Sequence, residues 1–185
     1  MREDGFSHVI NVADELFYSH GVHAVTMEHI RDVSGVPLRQ LYRMFRSKDD
    51  LLAACLKQRD KIAREAIHSY AQRNTDPAEN VLAIFDFLHD WFHQPGFHGC
   101  VFAGAFGEAG AAAPAVVDVV QNHKQRLLEL FTDLSRQAGA THPDQVGAQL
   151  AVLFDGAMAI ATFTGNTDAA LHARQAAQAV LETAH

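Results

Sequence analysis

Cysteine, proline and positive charge are all in short supply in this 185-residue chain. The two cysteines, Cys55 and Cys100, lie outside any C-x-x-C pair, and two do not make a disulfide framework. Lys and Arg number 15 against 22 Asp and Glu, a formal net charge of -7, so the overall charge argues against a nucleic-acid partner. No apolar run approaches the roughly 20 residues of a membrane span. The N-terminal "MREDGFSHVI" lacks the uninterrupted apolar stretch of a signal peptide, so a soluble cytoplasmic protein is expected. Nucleophile-elbow, P-loop and H-E-x-x-H motifs are absent. Gly104, Gly107 and Gly110 have the wrong spacing for a phosphate-binding fingerprint, and no strand pattern precedes them. No catalytic residue and no cofactor is assigned.

What the chain has in plenty is apolar residues, 48% of the total, enough for a core, and they recur at helical steps almost throughout. Phe6, Val9, Ile10, Ala13, Leu16 and Phe17 share one face of a first helix. Thr26 reads as the N-cap of a second, which Ser34-Gly35 ends. Pro37 suits the first position of a third short helix, to about Arg43. Ser47 caps a long helix with Asp49 and Asp50 in its first turn, and Asp76-Pro77 opens another. "CVFAGAFGEAGAAAPA" predicts a short helix and a loop, and Pro114 begins an amphipathic helix that Gly139 stops. An apolar helix over Val146–Phe163 and an Ala-rich last helix complete an all-α chain with no strand pattern.

The positive charge is unevenly placed. Residues 31–48 hold Arg31, Arg39, Arg43, Arg46 and Lys48 against one acid, Asp32, and a local patch can neutralise phosphates whatever the charge elsewhere. Two short helices joined by a turn at Gly35 make a helix-turn-helix unit over about residues 25–44, whose second helix would enter the major groove. Arg39, Gln40 and Arg43 would then reach base edges, since Arg pairs with guanine and Gln with adenine. Tyr42, Arg46 and Lys48 suit phosphates. Leu41 and Phe45 would turn inward, into a small core with Ile30 and Val33.

The stretch "VTMEHIRDVSGVPLRQLYRMFRSKDDLL" resembles the DNA-binding signature of the TetR/AcrR family of transcriptional regulators. Thr26, Ile30, Ser34-Gly35-Val36, Leu41-Tyr42, Phe45, Ser47-Lys48 and Leu51 carry the likeness. The chain departs from the pattern at Arg31, Pro37 and Leu38-Arg39-Gln40, where Arg39 in place of glycine adds a possible contact. The resemblance implies an N-terminal three-helix helix-turn-helix domain over residues 1–60 and a larger helical ligand-binding and dimerisation domain over residues 61–185. DNA contacts are then expected of Thr26, Arg31, Arg39, Gln40, Tyr42, Arg43, Arg46 and Lys48. A homodimer on a near-palindromic operator, repressing until a ligand releases it, is the implied function.

For the ligand the expectation is a small, mostly apolar or aromatic molecule lined by Phe85, Leu88, Trp91, Phe92, Phe102, Phe106, Phe131, Phe154 and Met158, with His98, His123 and Asp155 as polar anchors. Val146–Phe163 is apolar on most sides and requires cover on most sides. Dimerisation is therefore expected through Leu150, Leu153, Ala157 and Ile160 on that helix and Ala173, Ala177 and Val180 on the last. His89 and His93, four apart, share a helix face as metal ligands can, yet no metal site is assigned. Two readings compete with the regulator: a His/Cys- or metal-dependent helical enzyme, and a helical interaction protein that has lost DNA binding.

Overall fold

The structure, a computed structural model, describes residues 3–184. Nine α-helices account for most of these residues, with no strand among them. They are α1 (Glu3–His20), α2 (Met27–Ser34), α3 (Leu38–Met44), α4 (Lys48–Ala71), α5 (Pro77–Phe92), α6 (Val101–Ala109), α7 (Pro114–Gln137), α8 (Pro143–Thr164) and α9 (Ala169–Glu182), with a 3-10 turn at Gly110–Ala112 after α6. The fold is all-α, with an N-terminal helix-turn-helix domain and a C-terminal helical domain.

The boundaries follow local chemistry. Thr26 Oγ1 accepts the His29 N–H at 3.1 Å to start α2. Ser47 Oγ accepts the Asp50 N–H at 3.1 Å at the start of α4, and Asp76 Oδ1 accepts the Ala78 N–H at 2.9 Å before α5, where Pro77 loses no ladder bond. Gly35 closes α2 at φ 70°, a left-handed conformation that costs a residue with a Cβ about 1 kcal/mol or more.

The chain divides into two compact units. The first runs through Lys61 and is rejoined by Val101–Asn122; the second holds Ile62–Cys100 and the chain from His123 onward. The long helices α4 and α7 thus each contribute to both units. In the first unit Val9, Ala13, Val25, Ile30, Leu41, Leu51 and Leu56 are buried, as are Phe102, Ala105 and Val116 from the returning segment. Phe6, expected on the buried face of α1, stays largely exposed and stacks on Phe45 with ring centroids 4.9 Å apart. Val33, expected in this core, is 53% exposed, because Met27 and Ile30 already make up the inward face of the two-turn α2.

In the second unit α5, α8 and α9 pack together over a core centred on Phe85, Phe131 and Phe154. The three rings touch one another, with centroids 5.8–6.4 Å apart, a spacing in which aromatic rings attract. At Gly147 of α8 the backbone of α7 comes so close that a Cβ would lie 2.8 Å from Thr132 Cα. At 22 residues, with mean hydropathy 1.6 over an 18-residue stretch, α8 is long and apolar enough to cross a membrane, although no apolar run of that length was expected. Its inward side is committed to the protein, since Leu150, Phe154, Ala157 and Ala161 are buried in the second unit's core.

Candidate nucleic-acid interface

α3 sorts its side chains by face. Leu41 and Phe45 are buried, and Arg39, Tyr42, Arg43 and Arg46 are exposed, with Gln40 half-buried between them. The helix carries no acid, so its outer side offers guanidinium forks and a phenol without a competing carboxylate on the same element. Groups of this kind, on a short helix after a tight turn, can reach base edges and phosphate oxygens together.

Three of the other expected DNA contacts are already engaged within the first unit. Thr26 spends an oxygen lone pair on the α2 cap. Arg31 Nε donates to Asp32 Oδ1 at 2.8 Å, which neutralises part of its charge at an exposed site. Lys48 Nζ donates to the carbonyls of Val22 at 2.9 Å and Val25 at 3.1 Å, leaving one of its three N–H groups for a phosphate. From sequence Lys48 counts as one more cation; in the fold it also ties α4 to the loop before α2.

The expected ligand residues are divided between the two units. Phe102 and Phe106 belong to the first unit; Phe85, Leu88, Trp91, Phe92, Phe131, Phe154 and Met158 belong to the second unit's core or its edge. Phe106 is exposed on α6. Asp155 accepts from Lys124 Nζ at 2.5 Å, and His98 is exposed. His123 is buried and lines a cleft of about 240 Å³ with Arg64, Ile67 and His68 of α4 and Leu127 and Leu130 of α7. Sequence reasoning named His123 but not the α4 side of this cleft, where Ile67 reads as ordinary core.

The expected dimer contacts split by face. Leu150, Ala157, Ala173 and Ala177 are buried within the protomer, where α8 and α9 pack on each other and on α5. Leu153 and Val180 instead line an open groove with Val152 and Ala176, and Ile160 is 47% exposed. Val152, 71% exposed, and Phe163, 84% exposed, extend this outward stripe and were not singled out from sequence.

The histidine pair is used internally. The rings of His89 and His93 lie 4.5 Å apart. His93 Nδ1 donates to the His89 carbonyl at 2.7 Å, which leaves Nε2 to accept from Thr167 Oγ1 at 3.3 Å. No group of three or more His, Cys, Asp or Glu side chains with metal-binding geometry occurs among the described residues. Cys55 is buried beneath α1 with its thiol directed at the Ile10 carbonyl, 3.5 Å away. Burial, reinforced by the negative charge of Asp14, pushes that thiol well above its ordinary pKa, so it is a poor nucleophile.

A basic recognition helix behind a left-handed glycine turn, on an all-helical chain, defines a DNA-binding protein of the helix-turn-helix class. Comparison with known proteins narrows the class. Residues 9–55 match the family of bacterial regulatory proteins, tetR family. A TetR-family transcriptional regulator of Streptomyces coelicolor aligns at 28% identity over 99% of this chain and 97% of its own, with TM-score 0.90. A TetR-type regulator of Streptomyces avermitilis aligns at 29% identity over 97% of each chain, with TM-score 0.86. A regulator from Saccharomonospora viridis, solved in complex with choline, shares the fold at TM-score 0.80 and 17% identity over 98% of this chain and 97% of its own. Residues 9–55 thus carry the helix-turn-helix domain of the tetR family, and along its length the chain is similar to TetR-family transcriptional regulators.

Proposed function

We propose that this regulator is a ligand-responsive cytoplasmic repressor that binds a near-palindromic operator as a homodimer and is released by a small, mostly apolar molecule. The observation that carries the DNA reading is the division of α3 and the two residues after it, with Leu41 and Phe45 buried and Arg39, Tyr42, Arg43 and Arg46 outward. Arg39, Gln40 and Arg43 read bases; Tyr42 and Arg46 hold phosphates, with a lesser part for Lys48. Residues 1–60 carry DNA binding, and residues 61–185 carry most of ligand binding and dimerisation. The outward stripe Val152, Leu153, Ile160 and Phe163 supports the homodimer, because an apolar surface of this kind is costly to leave in water.

The α4–α7 cleft supports the ligand reading. Ile67, Leu127 and Leu130 give it apolar lining beside the charged Arg64, Arg126, Glu129 and Asp133, His123 lies among them, and both of its helices continue into the first unit. Choline in the S. viridis regulator shows a small molecule held by a protein of this fold, though a cation differs from the apolar ligand proposed here. Release from DNA requires the ligand to favour one conformation over another, since equal affinity for both shifts nothing.

The test of the DNA reading is Arg43→Ala against DNA upstream of the chain's own gene. Affinity should fall by about 1–3 kcal/mol, with relaxed preference at one base pair of each half-site. Unchanged affinity and preference would show that α3 does not read sequence.

A further inference from the structure

The loop between α1 and α2, residues 21–25, is held by two other helices of the first unit. From the first residue of α4, Lys48 Nζ donates to the Val22 and Val25 carbonyls. From the last turn of α6, Glu108 Oε2 accepts the backbone N–H of His23 at 2.8 Å. These bonds satisfy backbone groups on three of the loop's five residues, and each involves a charged partner, the stronger kind of hydrogen bond. Gly21 opens the loop at φ 82°, and a Cβ there would stand 3.2 Å from Glu108 Oε1. The loop is thus shaped around the carboxylate. It runs directly into Thr26, the cap of α2.

Glu108 is the one charged residue in α6, and it lies in a unit whose α3 surface must meet a polyanion. On charge alone a carboxylate there works against DNA binding. The geometry points to a compensating role. α6 lies in the Val101–Asn122 segment, which has second-unit chain on both sides in sequence.

We propose that Glu108 is a positioning residue for DNA binding: by holding the His23 N–H it fixes the loop that sets α2, and so α3, in the DNA-reading arrangement. The inference rests on the DNA reading above.

The experiment compares Glu108→Ala, Glu108→Asp and Glu108→Gln with the intact protein on upstream DNA of its own gene, with Arg43→Ala as control. Glu108→Ala should lower affinity about tenfold, the scale of one lost charge-assisted bond, with no change in salt dependence because no phosphate contact is removed. Glu108→Asp, one methylene short of His23, should behave like alanine. Glu108→Gln keeps an oxygen acceptor at full reach and should bind like the intact protein. A role of the charge alone predicts the opposite: equal gains in affinity for Ala and Gln, and none for Asp. Amide exchange at His23, followed by NMR, should quicken in the Ala and Asp variants only. The proposal is overturned if Glu108→Ala binds within about twofold of the intact protein, if Asp and Gln exchange places, or if His23 exchange is unaltered. Should Glu108→Ala fail to fold, the Asp and Gln pair decides alone. If Arg43→Ala also leaves binding unchanged, the DNA reading itself has failed, and this inference falls with it.

Discussion

The two units share polar ties between helices and differ in what else those ties hold. The second has touching rings at its centre, Phe85, Phe131 and Phe154, with alanines on α8 and α9 that let those helices pack closely, and Arg174 bonds Asp86 at 2.8 Å across its helices. In the first, polar ties reach a loop as well as helices. Lys48 and Glu108 hold the α1–α2 loop, Arg59 bonds Asp14 at 2.6 Å, and Gln58 bonds Asn11 at 2.7 Å. Packing is non-directional and tolerates small adjustments, whereas a hydrogen bond fixes distance and angle. A unit that must present α3 at a set angle gains from directional ties. A unit built around touching rings gains from apolar area.

Substitutions can break this comparison, and the largest effect should come from the aromatic core. Phe131→Ala should cost about 3–5 kcal/mol of unfolding free energy, the usual result of emptying a fully buried ring, read by thermal or denaturant melting. A loss below about 1 kcal/mol would mean that the second unit does not depend on its rings.

Next in size is the outward stripe of α8. Ile160→Arg should weaken self-association by on the order of 3 kcal/mol, because a charge would be left unpaired in an apolar contact. Its melting temperature at a concentration where the native protein is also monomeric should barely move. Ala157→Arg, by contrast, should damage the protomer itself, since that position is already buried. Sedimentation equilibrium separates the two outcomes, and an Ile160→Arg dimer of native strength would place the interface elsewhere.

The ties of the first unit come third. Lys48→Ala leaves the Val22 and Val25 carbonyls without their donor and should cost about 2 kcal/mol of stability. A lysine that served phosphate alone would show no such loss in melting without DNA. Smallest is Thr26→Ala, which removes the α2 cap and should cost about 1 kcal/mol. Thr26→Ser keeps an oxygen that can accept from His29 and should restore most of it.

Much of this was legible in the sequence where a local rule acts alone. Thr26, Ser47 and Asp76 cap the helices their positions suggested, and Gly35 takes the left-handed turn. Leu41 and Phe45 alternate with the basic residues so clearly that the two faces of α3 could be read directly. The inward and outward sides of α8 could not. Leu150 is fully buried and Val152 is 71% exposed, yet both are aliphatic, and a helix apolar on both sides has no contrast from which to assign its faces. Leu150 and Ala157, expected at a dimer contact, are buried in the protomer. Lys48 illustrates a different limit: its charge is visible in the sequence, but the carbonyls that occupy it come from residues more than twenty positions earlier. The return of Val101–Asn122 to the first unit left no mark at all, because Phe102 and Val116 look like core residues of any helical chain.

That return also sets an order of events at the ribosome. The whole helix-turn-helix sequence emerges early, yet Phe102, Ala105 and Val116, buried members of the same compact unit, are made only after α5. At synthesis rates of about 5–20 residues per second, the wait between the last residue of α3 and Asn122 lasts several seconds or more. For most of that interval α6, with its loop-holding carboxylate, is still missing or incomplete. A nascent chain therefore carries its recognition helix well before it has the parts that complete the unit around it.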